Sequence, residues 1–234
     1  VGNYSCTYNY FGRENSMSPD DHYQDLKRII QAAGGKAHRI NIIMPSLYGG
    51  RQHRRNYRES LDCAVALQEL QSMGVSNILT FDAHDPRVQN AVPLMGLDNI
   101  IPSYQVLKAM FKNLSDFRPD KDHFMIISPD EGAINRNMYY ASVLGVNLGM
   151  FYKRRDYSTI IDGRNPIVAH EYMGNDVAGK DVFIADDIIS SGESMLDIAV
   201  ELKKRKANKI YCYATYPIFT NGLESFNKAY ADGI

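Results

Sequence analysis

The stretch from Asp181 to Ser194 reads DVFIADDIISSGES, and it carries the strongest indication of the fold. An apolar run ends in two acids, a short loop of serine and glycine follows, and a helical pattern comes next. In that pattern apolar residues recur at the spacing of one helix face: Met195, Ile198, Ala199 and Leu202. A buried strand followed by a polar loop and an amphipathic helix is typical of an α/β protein, in which ligands bind at the carboxyl ends of parallel strands.

Short apolar runs alternate with helical patterns along the rest of the chain. The runs contain few alternating polar residues, which is typical of parallel strands covered on both faces. A predicted helix between two of them presents Ala64, Leu67, Leu70 and Met73 on one face. The predicted strands are Ile40–Met44, Ile78–Asp82, His123–Ile127, Leu148–Tyr152, Val182–Ala185 and Ile210–Ala214. This alternation predicts an α/β fold with parallel sheets.

The length of 234 residues suits two small domains. A fresh series of strand and helix patterns begins after Pro102–Gln105, so we predict an N-terminal domain over residues 1–104 and a C-terminal domain over residues 105–234. Two long stretches without periodicity, Pro45–Arg58 and Arg154–Asn175, are predicted loops, and loops of that length are usually functional. Because the chain begins at Val1 rather than at a methionine, we expect it to be incomplete at either end.

Composition and charge exclude several classes of protein. The net charge of −1 provides no overall field that would attract nucleic acid or an anionic membrane, so we expect neither as a partner. The three cysteines form no C-x-x-C pair, which argues against a zinc site or a disulfide framework and favours a reducing, cytoplasmic compartment. No apolar run approaches the roughly 20 residues that span a bilayer.

The residues after the Asp181 strand are suited to a sugar phosphate. Loop amides and a helix N-terminus favour an anion, and the hydroxyls of Ser190, Ser191 and Ser194 add donors. Asp186 and Asp187 can accept hydrogen bonds from ribose hydroxyls. The plainer alternative is that a serine only caps the helix and that the acids are surface residues.

Four other segments place polar or charged groups after predicted strands or in the first long loop. Arg51 offers a planar fork for phosphate or for stacking on adenine, and Gln52 can recognise an adenine edge, although both could belong to a solvated basic loop. His84 and Asp130 each follow a strand and could hold Mg²⁺ directly or through water, although a histidine in such a place is often only a helix cap. Lys153 and Arg155 could stabilise charge during phosphoryl transfer, or could simply cap a strand end.

The Asp181–Ser194 segment resembles the phosphoribosyl diphosphate-binding loop that type I phosphoribosyltransferases share with ribose-phosphate pyrophosphokinases. The family pattern has two acids, two variable residues and then D-T-x-G-T. Ser191 and Ser194 keep the two hydroxyls of that pattern. Ser190 stands in place of its third acid, and Glu193 in place of its second small residue.

Four further segments resemble the pyrophosphokinases in particular, and they occur in that family's order. They are Arg51-Gln52 within YGGRQHRR, Asp82-Ala83-His84 followed by Gln89, Ser128–Gly132 followed by Arg136, and Lys153–Arg155. The resemblance implies two similar parallel-sheet domains of the type I phosphoribosyltransferase-like fold. It also implies transfer of the diphosphoryl group of ATP to the anomeric hydroxyl of ribose 5-phosphate, which gives phosphoribosyl diphosphate and AMP.

The resemblance assigns a role to each candidate residue. ATP is expected at Arg51, Gln52 and His84, and Mg²⁺ at His84 and Asp130, with Lys153 and Arg155 as catalytic residues. A homo-oligomer is expected, a dimer at least, with a hexamer as a larger alternative. Ribose 5-phosphate is expected at Asp186, Asp187, Ser190, Ser191, Gly192 and Ser194.

Two alternatives stay open. A non-catalytic regulatory relative of the enzyme is favoured by Ser190 and Glu193, which depart from the loop pattern. A phosphoribosyltransferase would explain the Asp186–Ser194 segment but not Arg51-Gln52 or Asp82–His84.

Overall fold

A computed structural model of the chain describes residues 6–55, 57–155 and 167–234, and of residues 153–155 and 167–170 it describes the backbone only. The chain divides into two compact units, Val1–Ile101 and Pro102–Ile234. Among the described residues, no helix combines the length and the apolar character needed to cross a membrane.

The N-terminal unit contains an antiparallel hairpin and a three-stranded parallel sheet. Strands β1 (Thr7–Tyr10) and β2 (Arg13–Ser16) form the hairpin. The sheet has the order β3-β4-β5. Its strands and the helices around them are α1 (Pro19–Ala33), β3 (Ile40–Ile43), α2 (Asp62–Ser72), β4 (Val75–Phe81), a 3₁₀ helix (Pro86–Ala91) and β5 (Gly96–Ile100).

Local sequence explains where the first helix begins. Ser18 is the N-cap of α1, and its hydroxyl oxygen accepts a hydrogen bond from the Asp21 N–H at 3.2 Å. The Asp21 carboxylate accepts in return from the Ser18 N–H at 2.7 Å, and Pro19 occupies the first helical turn. This reciprocal capping box satisfies amides that a helix start otherwise leaves unpaired.

The core of the N-terminal unit lies between the sheet and α2. Leu67 and Leu70 of α2 are buried as predicted, and they pack in one cluster with Ile78 of β4. Ala64 and Met73 are only half-buried. Cys63 and Ala66 contribute to the buried face of α2 as well, so this face begins one residue earlier than the sequence pattern predicts.

The C-terminal unit is built on a five-stranded sheet of order β10-β9-β6-β7-β8. Its first four strands are parallel, and only β8 runs antiparallel to its neighbour β7. Its elements are α3 (Ser103–Asn113), β6 (Phe124–Ser128), α4 (Ile134–Leu144), β7 (Asn147–Arg155), β8 (Ile167–Met173), β9 (Asp181–Ile189), α5 (Glu193–Lys204), β10 (Ile210–Pro217) and α6 (Glu224–Ala231).

Burial in this unit follows the sequence pattern closely. Every residue of the central strand β6 is buried, as expected for a parallel strand covered on both faces. The predicted face of α5 is confirmed, since Met195, Ile198, Ala199 and Leu202 are all buried. The prediction of an α/β fold with parallel sheets is therefore confirmed.

All six predicted strands are present with shifted ends, but the sequence pattern missed four further strands among the described residues: the hairpin strands β1 and β2, and β5 and β8 in the two larger sheets. Strand β5 reads GLDNI and is an edge strand with alternating exposure, so it lacks the apolar run of a buried strand. The prediction that Arg154–Asn175 is a loop is wrong for Arg154 and Arg155, which belong to β7, and for Ile167–Met173, which forms β8, while residues 156–166 lie outside the described residues. The pairing of β8 with β7, for example Met173 with Met150, is a tertiary contact that local periodicity does not record.

Candidate functional site

The turn between β9 and α5 is shaped by Gly192. Its φ is +89°, in the left-handed region that disfavours side chains. A Cβ atom at this position would lie 2.3 Å from the ring of Phe226, so only glycine fits. Gly192 is also the N-cap of α5, and its carbonyl accepts from the Leu196 N–H at 3.0 Å. The N-cap is therefore neither Ser191 nor Ser194.

The carbonyl groups of this turn are bound to the connection that follows β10. The Ile189 carbonyl accepts from the Ile218 N–H at 2.9 Å, and the Ser190 carbonyl accepts from the Thr220 N–H at 3.0 Å. Ser190 and Ser191 are half-buried, whereas Glu193 and Ser194 are exposed at the start of α5. The glutamate that departs from the loop pattern is thus a solvated residue of the first helical turn.

Asp186 and Asp187 lie inside β9, in the turn-proximal half of the strand. Asp187 is buried, and its backbone N–H donates to Oδ1 of Asp186 at 2.8 Å. Arg136 of α4 places Nη1 3.6 Å from the same oxygen. Burial, a side-chain hydrogen bond with Asp187, and the charges of Asp187 and Asp130 raise the pKa of Asp186 to about 7. At neutral pH this carboxyl can therefore donate as well as accept a hydrogen bond.

Asp130 reaches the same edge of the sheet from the neighbouring strand β6. The Ser128 hydroxyl donates to the Asp130 carbonyl at 2.8 Å, and Asp130 Oδ1 accepts from the Ala133 N–H at 3.1 Å. These contacts fix the loop that leads into α4. Since β6 and β9 are parallel neighbours, their carboxyl ends bring Asp130, Arg136 and Asp186 into one polar cluster.

Asn137 adjoins this cluster and was not predicted from the sequence. It is fully buried, and its side chain bonds both backbone groups of Ala185, the residue before Asp186. A signal was available, because Asn137 shares the buried face of α4 with Tyr140 and Ala141. A polar residue on an apolar helix face is rarely buried without hydrogen-bond partners.

In the N-terminal unit, a turn presents Arg51 and Gln52. Gly49 has a φ of +65°, and its carbonyl accepts from the Gln52 N–H at 2.8 Å. The Gln52 side chain donates to the Ser60 carbonyl at 3.0 Å, so its amide is held within the loop. Arg51 is exposed and its planar guanidinium is available to solvent-borne anions.

His53 connects this loop with the segment that follows β4. Its Nε2 lies 3.4 Å from Oδ2 of Asp85, and both side chains are largely buried, with 14% and 10% exposed. The rings of His53 and His84 are 5.1 Å apart between centroids. The structure therefore brings two of the predicted segments together through His53, which no sequence pattern singled out.

Asp85 is a second residue that sequence reasoning did not select. It is the N-cap of the 3₁₀ helix, accepting from the Arg87 N–H at 2.9 Å, and it also binds the Arg87 guanidinium at 2.6 Å. These contacts with Arg87 hold the pKa of Asp85 at about 2 despite its burial. Asp85 is thus an ionised anchor for His53.

The remaining predicted residues are placed only in part. Lys153 and Arg155 lie in β7 opposite His170 and Ile167 of β8, and their side chains are outside what the structure describes. His84 and Asp130 belong to different units. Among the described residues, no group of three or more histidines, cysteines and acids is arranged to hold a metal ion.

Two family models match the chain. The model of the phosphoribosyl transferase domain matches residues 97–228, more than half of the chain, and the model of the N-terminal domain of ribose phosphate pyrophosphokinase matches residues 10–74. The first match includes the Asp186–Ser194 segment, and the second includes Arg51, Gln52 and His53.

The curated relatives that the chain matches are named ribose-phosphate pyrophosphokinase. The chain is 29% identical over 206 residues to the ribose-phosphate pyrophosphokinase of Ralstonia nicotianae. The matched region covers 87% of this chain and 61% of that protein. It is 29% identical over 217 residues to the ribose-phosphate pyrophosphokinase of Chlorobaculum tepidum, covering 92% and 63%. The chain thus spans less than two thirds of the length of these relatives.

The fold is similar to that of a solved structure of a phosphoribosylpyrophosphate synthetase. The crystal structure of phosphoribosylpyrophosphate synthetase from Mycobacterium smegmatis matches with a TM-score of 0.73 over 90% of this chain and 72% of that chain, at 20% identity. At this identity the match supports the fold, and it confirms the predicted phosphoribosyltransferase-like architecture. The two family models and the order of the five sequence segments lead to one conclusion: the chain belongs to the ribose-phosphate pyrophosphokinase family.

Proposed function

We propose that the protein is a ribose-phosphate diphosphokinase, which transfers the diphosphoryl group of ATP to the anomeric hydroxyl of ribose 5-phosphate. The products are phosphoribosyl diphosphate, used in nucleotide biosynthesis, and AMP. The observation that carries the proposal is the His53–Asp85 contact, which joins the Arg51–His53 loop to His84 in the N-terminal unit. A phosphoribosyltransferase would have a use for the C-terminal unit but not for this second assembly.

The C-terminal unit is proposed to bind ribose 5-phosphate. The phosphate would lie against Ser190, Ser191, Gly192 and Ser194, where backbone amides at the start of α5 favour an anion. The ribose hydroxyls would bond Asp186 and Asp187. The raised pKa of Asp186 suits this role, because a carboxyl that ionises near pH 7 can exchange donor and acceptor roles with a hydroxyl.

The N-terminal unit is proposed to bind ATP. Arg51 would stack on the adenine or bind a phosphate oxygen, Gln52 would recognise the adenine edge, and His84 would face the triphosphate. We therefore retain the division into a nucleotide-binding domain over residues 1–104 and a ribose phosphate-binding domain over residues 105–234.

Mg²⁺ is part of the proposal, carried by the nucleotide. This ion takes few protein ligands and keeps several waters, and the proposed protein ligands are the carboxylate of Asp130 and, through water, the imidazole of His84. When bound, the ion would neutralise charge on the triphosphate.

The proposed chemistry is an in-line displacement. The anomeric oxygen of ribose 5-phosphate forms a bond to the β-phosphorus of ATP and loses its proton, while the bond from that phosphorus to the oxygen bridging it to the α-phosphorus breaks and AMP leaves. Lys153 and Arg155 are the proposed catalytic residues, since cations close to the transferring group stabilise its charge. Positioning of the two substrates supplies much of the remaining acceleration.

The protein is further proposed to be a cytoplasmic homo-oligomer, with a dimer as the smallest active unit and a hexamer as an alternative. ATP and a sugar phosphate are cytoplasmic metabolites, which supports the location. The resemblance to the family supports the oligomer, because in that family a neighbouring subunit completes the ATP loop.

A regulatory relative without catalysis is the second candidate function. Ser190 in place of an acid favours it, because one acceptor for the sugar is lost. The exposure of Glu193 argues against it, because a glutamate that points into solvent leaves the phosphate position open.

One assay separates these candidates. The protein is incubated with ATP, Mg²⁺ and ribose 5-phosphate, and AMP is quantified with and without the sugar phosphate. AMP formation that depends on ribose 5-phosphate is the expected result. If both substrates bind and no AMP forms, the regulatory function replaces the enzymatic one. Phosphoribosyl diphosphate consumed with a nucleobase instead would indicate a phosphoribosyltransferase.

A further inference from the structure

Strand β9 loses one of its two neighbours just before the acids. Its parallel pairing with β6 runs from Phe124 opposite Asp181 to Ile127 opposite Ile184. Strand β6 then ends at Ser128, whereas β9 continues to Ile189 along β10 alone. From Ala185 onward, the backbone groups on the β6 side of β9 need partners other than a strand.

The carboxamide of Asn137 supplies those partners. Its Oδ1 accepts from the Ala185 N–H at 3.1 Å, and its Nδ2 donates to the Ala185 carbonyl at 2.8 Å. This is the pair of bonds that a neighbouring strand would provide, so one side chain extends the β6 edge of the ladder by a residue.

The amide is itself fixed in place. Asn137 is fully buried, and Nδ2 also donates to the Ala133 carbonyl at 2.9 Å, one turn earlier in α4. Ala133 in turn donates its N–H to the Asp130 carboxylate. The first turn of α4 therefore connects the Asp130 loop to Ala185 through an unbroken series of hydrogen bonds.

The next residue pair repeats the connection at side-chain level. Arg136 precedes Asn137 and places its guanidinium 3.6 Å from Asp186 Oδ1, while Ala185 precedes Asp186. Two consecutive residues of α4 thus contact two consecutive residues of β9. Asn137 bonds the backbone of Ala185, and Arg136 lies beside the carboxylate of Asp186.

We propose that Asn137 is a positioning residue of the ribose phosphate-binding site, which holds the Ala185 backbone and thereby sets the place of the Asp186 carboxylate relative to Arg136 and Asp130. The inference rests on the proposed function for the identity of the ligand. A residue without the carboxamide would leave two buried backbone groups unpaired, and the strand would shift to regain partners or water.

The experiment compares Asn137→Ala and Asn137→Asp with the wild type and with Asn113→Ala. Asn113 is a matched control, because it is a helix asparagine of the same unit whose side chain donates to a backbone carbonyl at the surface. Three quantities are measured: amide hydrogen exchange at Ala185, the dissociation constant of ribose 5-phosphate, and that of ATP. Circular dichroism and thermal melting establish that each variant is folded.

We expect exchange at Ala185 to accelerate and the affinity for ribose 5-phosphate to fall about tenfold or more in Asn137→Ala, with the ATP affinity unchanged within about twofold. Asn137→Asp should be intermediate, because a carboxyl buried against carbonyl oxygens stays protonated, so it still accepts from the Ala185 N–H and donates to one carbonyl where the amide donates to two. If Asn137→Ala does not fold, the Asp variant carries the comparison. The Asn113 variant should match the wild type.

Two results would overturn the inference. One is wild-type exchange at Ala185 and wild-type sugar phosphate affinity in folded variants, and the other is an equal loss of affinity for both ligands, which would indicate a general structural role. If the wild type itself binds no ribose 5-phosphate, the proposed function fails, and the exchange at Ala185 without ligand alone decides whether Asn137 positions the strand.

Discussion

At the scale of single residues, Asp186 stands out because its surroundings disfavour its charge. Its pKa is about 7 in the folded protein, against 3.8 for an ordinary aspartate. A raised folded-state pKa gives a stabilising contribution that is fully present below the unfolded pKa and is lost as pH rises through the folded pKa. The relevant window is therefore about pH 4 to 8.

We predict that Asp186→Asn removes the loss of stability that the wild type shows as pH rises. The melting temperature of the variant, relative to the wild type, should rise between pH 5 and pH 8, because the wild type alone must ionise a buried carboxyl. Asp197→Asn, which changes an exposed acid of α5, is the control. Thermal unfolding at several pH values makes the comparison, and melting curves that keep a constant separation across this range would contradict the assignment.

Gly192 is a second residue whose type is determined by its position in the fold. Its positive φ and its contact with Phe226 both exclude a side chain. Gly179 shares a positive φ of +74°, but a Cβ there would meet no atom within 4 Å. The two glycines therefore separate backbone strain from steric overlap.

We predict that Gly192→Ala lowers the free energy of unfolding by more than Gly179→Ala does. Strain alone should cost on the order of 1 kcal/mol in both variants. The overlap with Phe226 should add about 1–3 kcal/mol at Gly192, and Phe226→Leu should relieve part of it in the double variant. Urea unfolding gives the free energy of unfolding of the wild type, the two glycine variants and the double variant. Equal decreases in the two glycine variants would show that Phe226 moves away freely.

At the scale of elements, the N-terminal site depends on two segments that are far apart in sequence. The Arg51–His53 loop and the His84–Arg87 segment meet through His53 and Asp85. Asp85 is fixed by its helix-capping bond and by Arg87, so it is a rigid anchor for a loop that is otherwise rich in exposed cations. The contact positions the loop and does not itself supply chemistry.

We predict that His53→Ala raises the dissociation constant of ATP about tenfold, since a freed loop must be ordered again on binding. The affinity for ribose 5-phosphate should not change. His38→Ala, which removes an exposed histidine of the same unit, is the control. Calorimetric titration with each ligand provides the measurement, and an unchanged ATP affinity would show that the contact is incidental.

At the scale of the whole molecule, the two units match two different family models. The phosphoribosyl transferase domain model matches residues 97–228 and the pyrophosphokinase N-terminal model matches residues 10–74. The proposed activity needs both units, because each unit is proposed to bind one of the two substrates.

We predict that activity depends on self-association. Size-exclusion chromatography with light scattering should show a dimer or a larger assembly, and dilution below the concentration of dissociation should reduce AMP formation per subunit. The proposal holds that a neighbouring subunit completes the ATP loop, so a monomer with full specific activity would contradict it.

The sequence alone determined the elements that bury continuous apolar surface. The strand Asp181–Ile189 and the helix that follows it were predictable, because a buried strand and an amphipathic helix each impose a period on the residues they contain. The position of Asp186, Asp187 and the serines after them at the carboxyl end of this strand was predictable in the same way, and their binding of ribose 5-phosphate stays a prediction. Edge strand β5 and antiparallel strand β8 escaped prediction because neither needs a continuous apolar run.

Only the tertiary structure decided which polar residues act together. Asn137 and Ala185 are 48 positions apart, and His53 and Asp85 come from different loops, so no local pattern connects them. Their pairing arises because burial requires every polar group to find a partner, and the partner is whichever group the packing of helices on sheets brings near. Asp181–Ser194 thus established the family resemblance, whereas the surroundings of Asp186 and the anchoring of the Arg51–His53 loop depend on contacts that exist only in the folded chain.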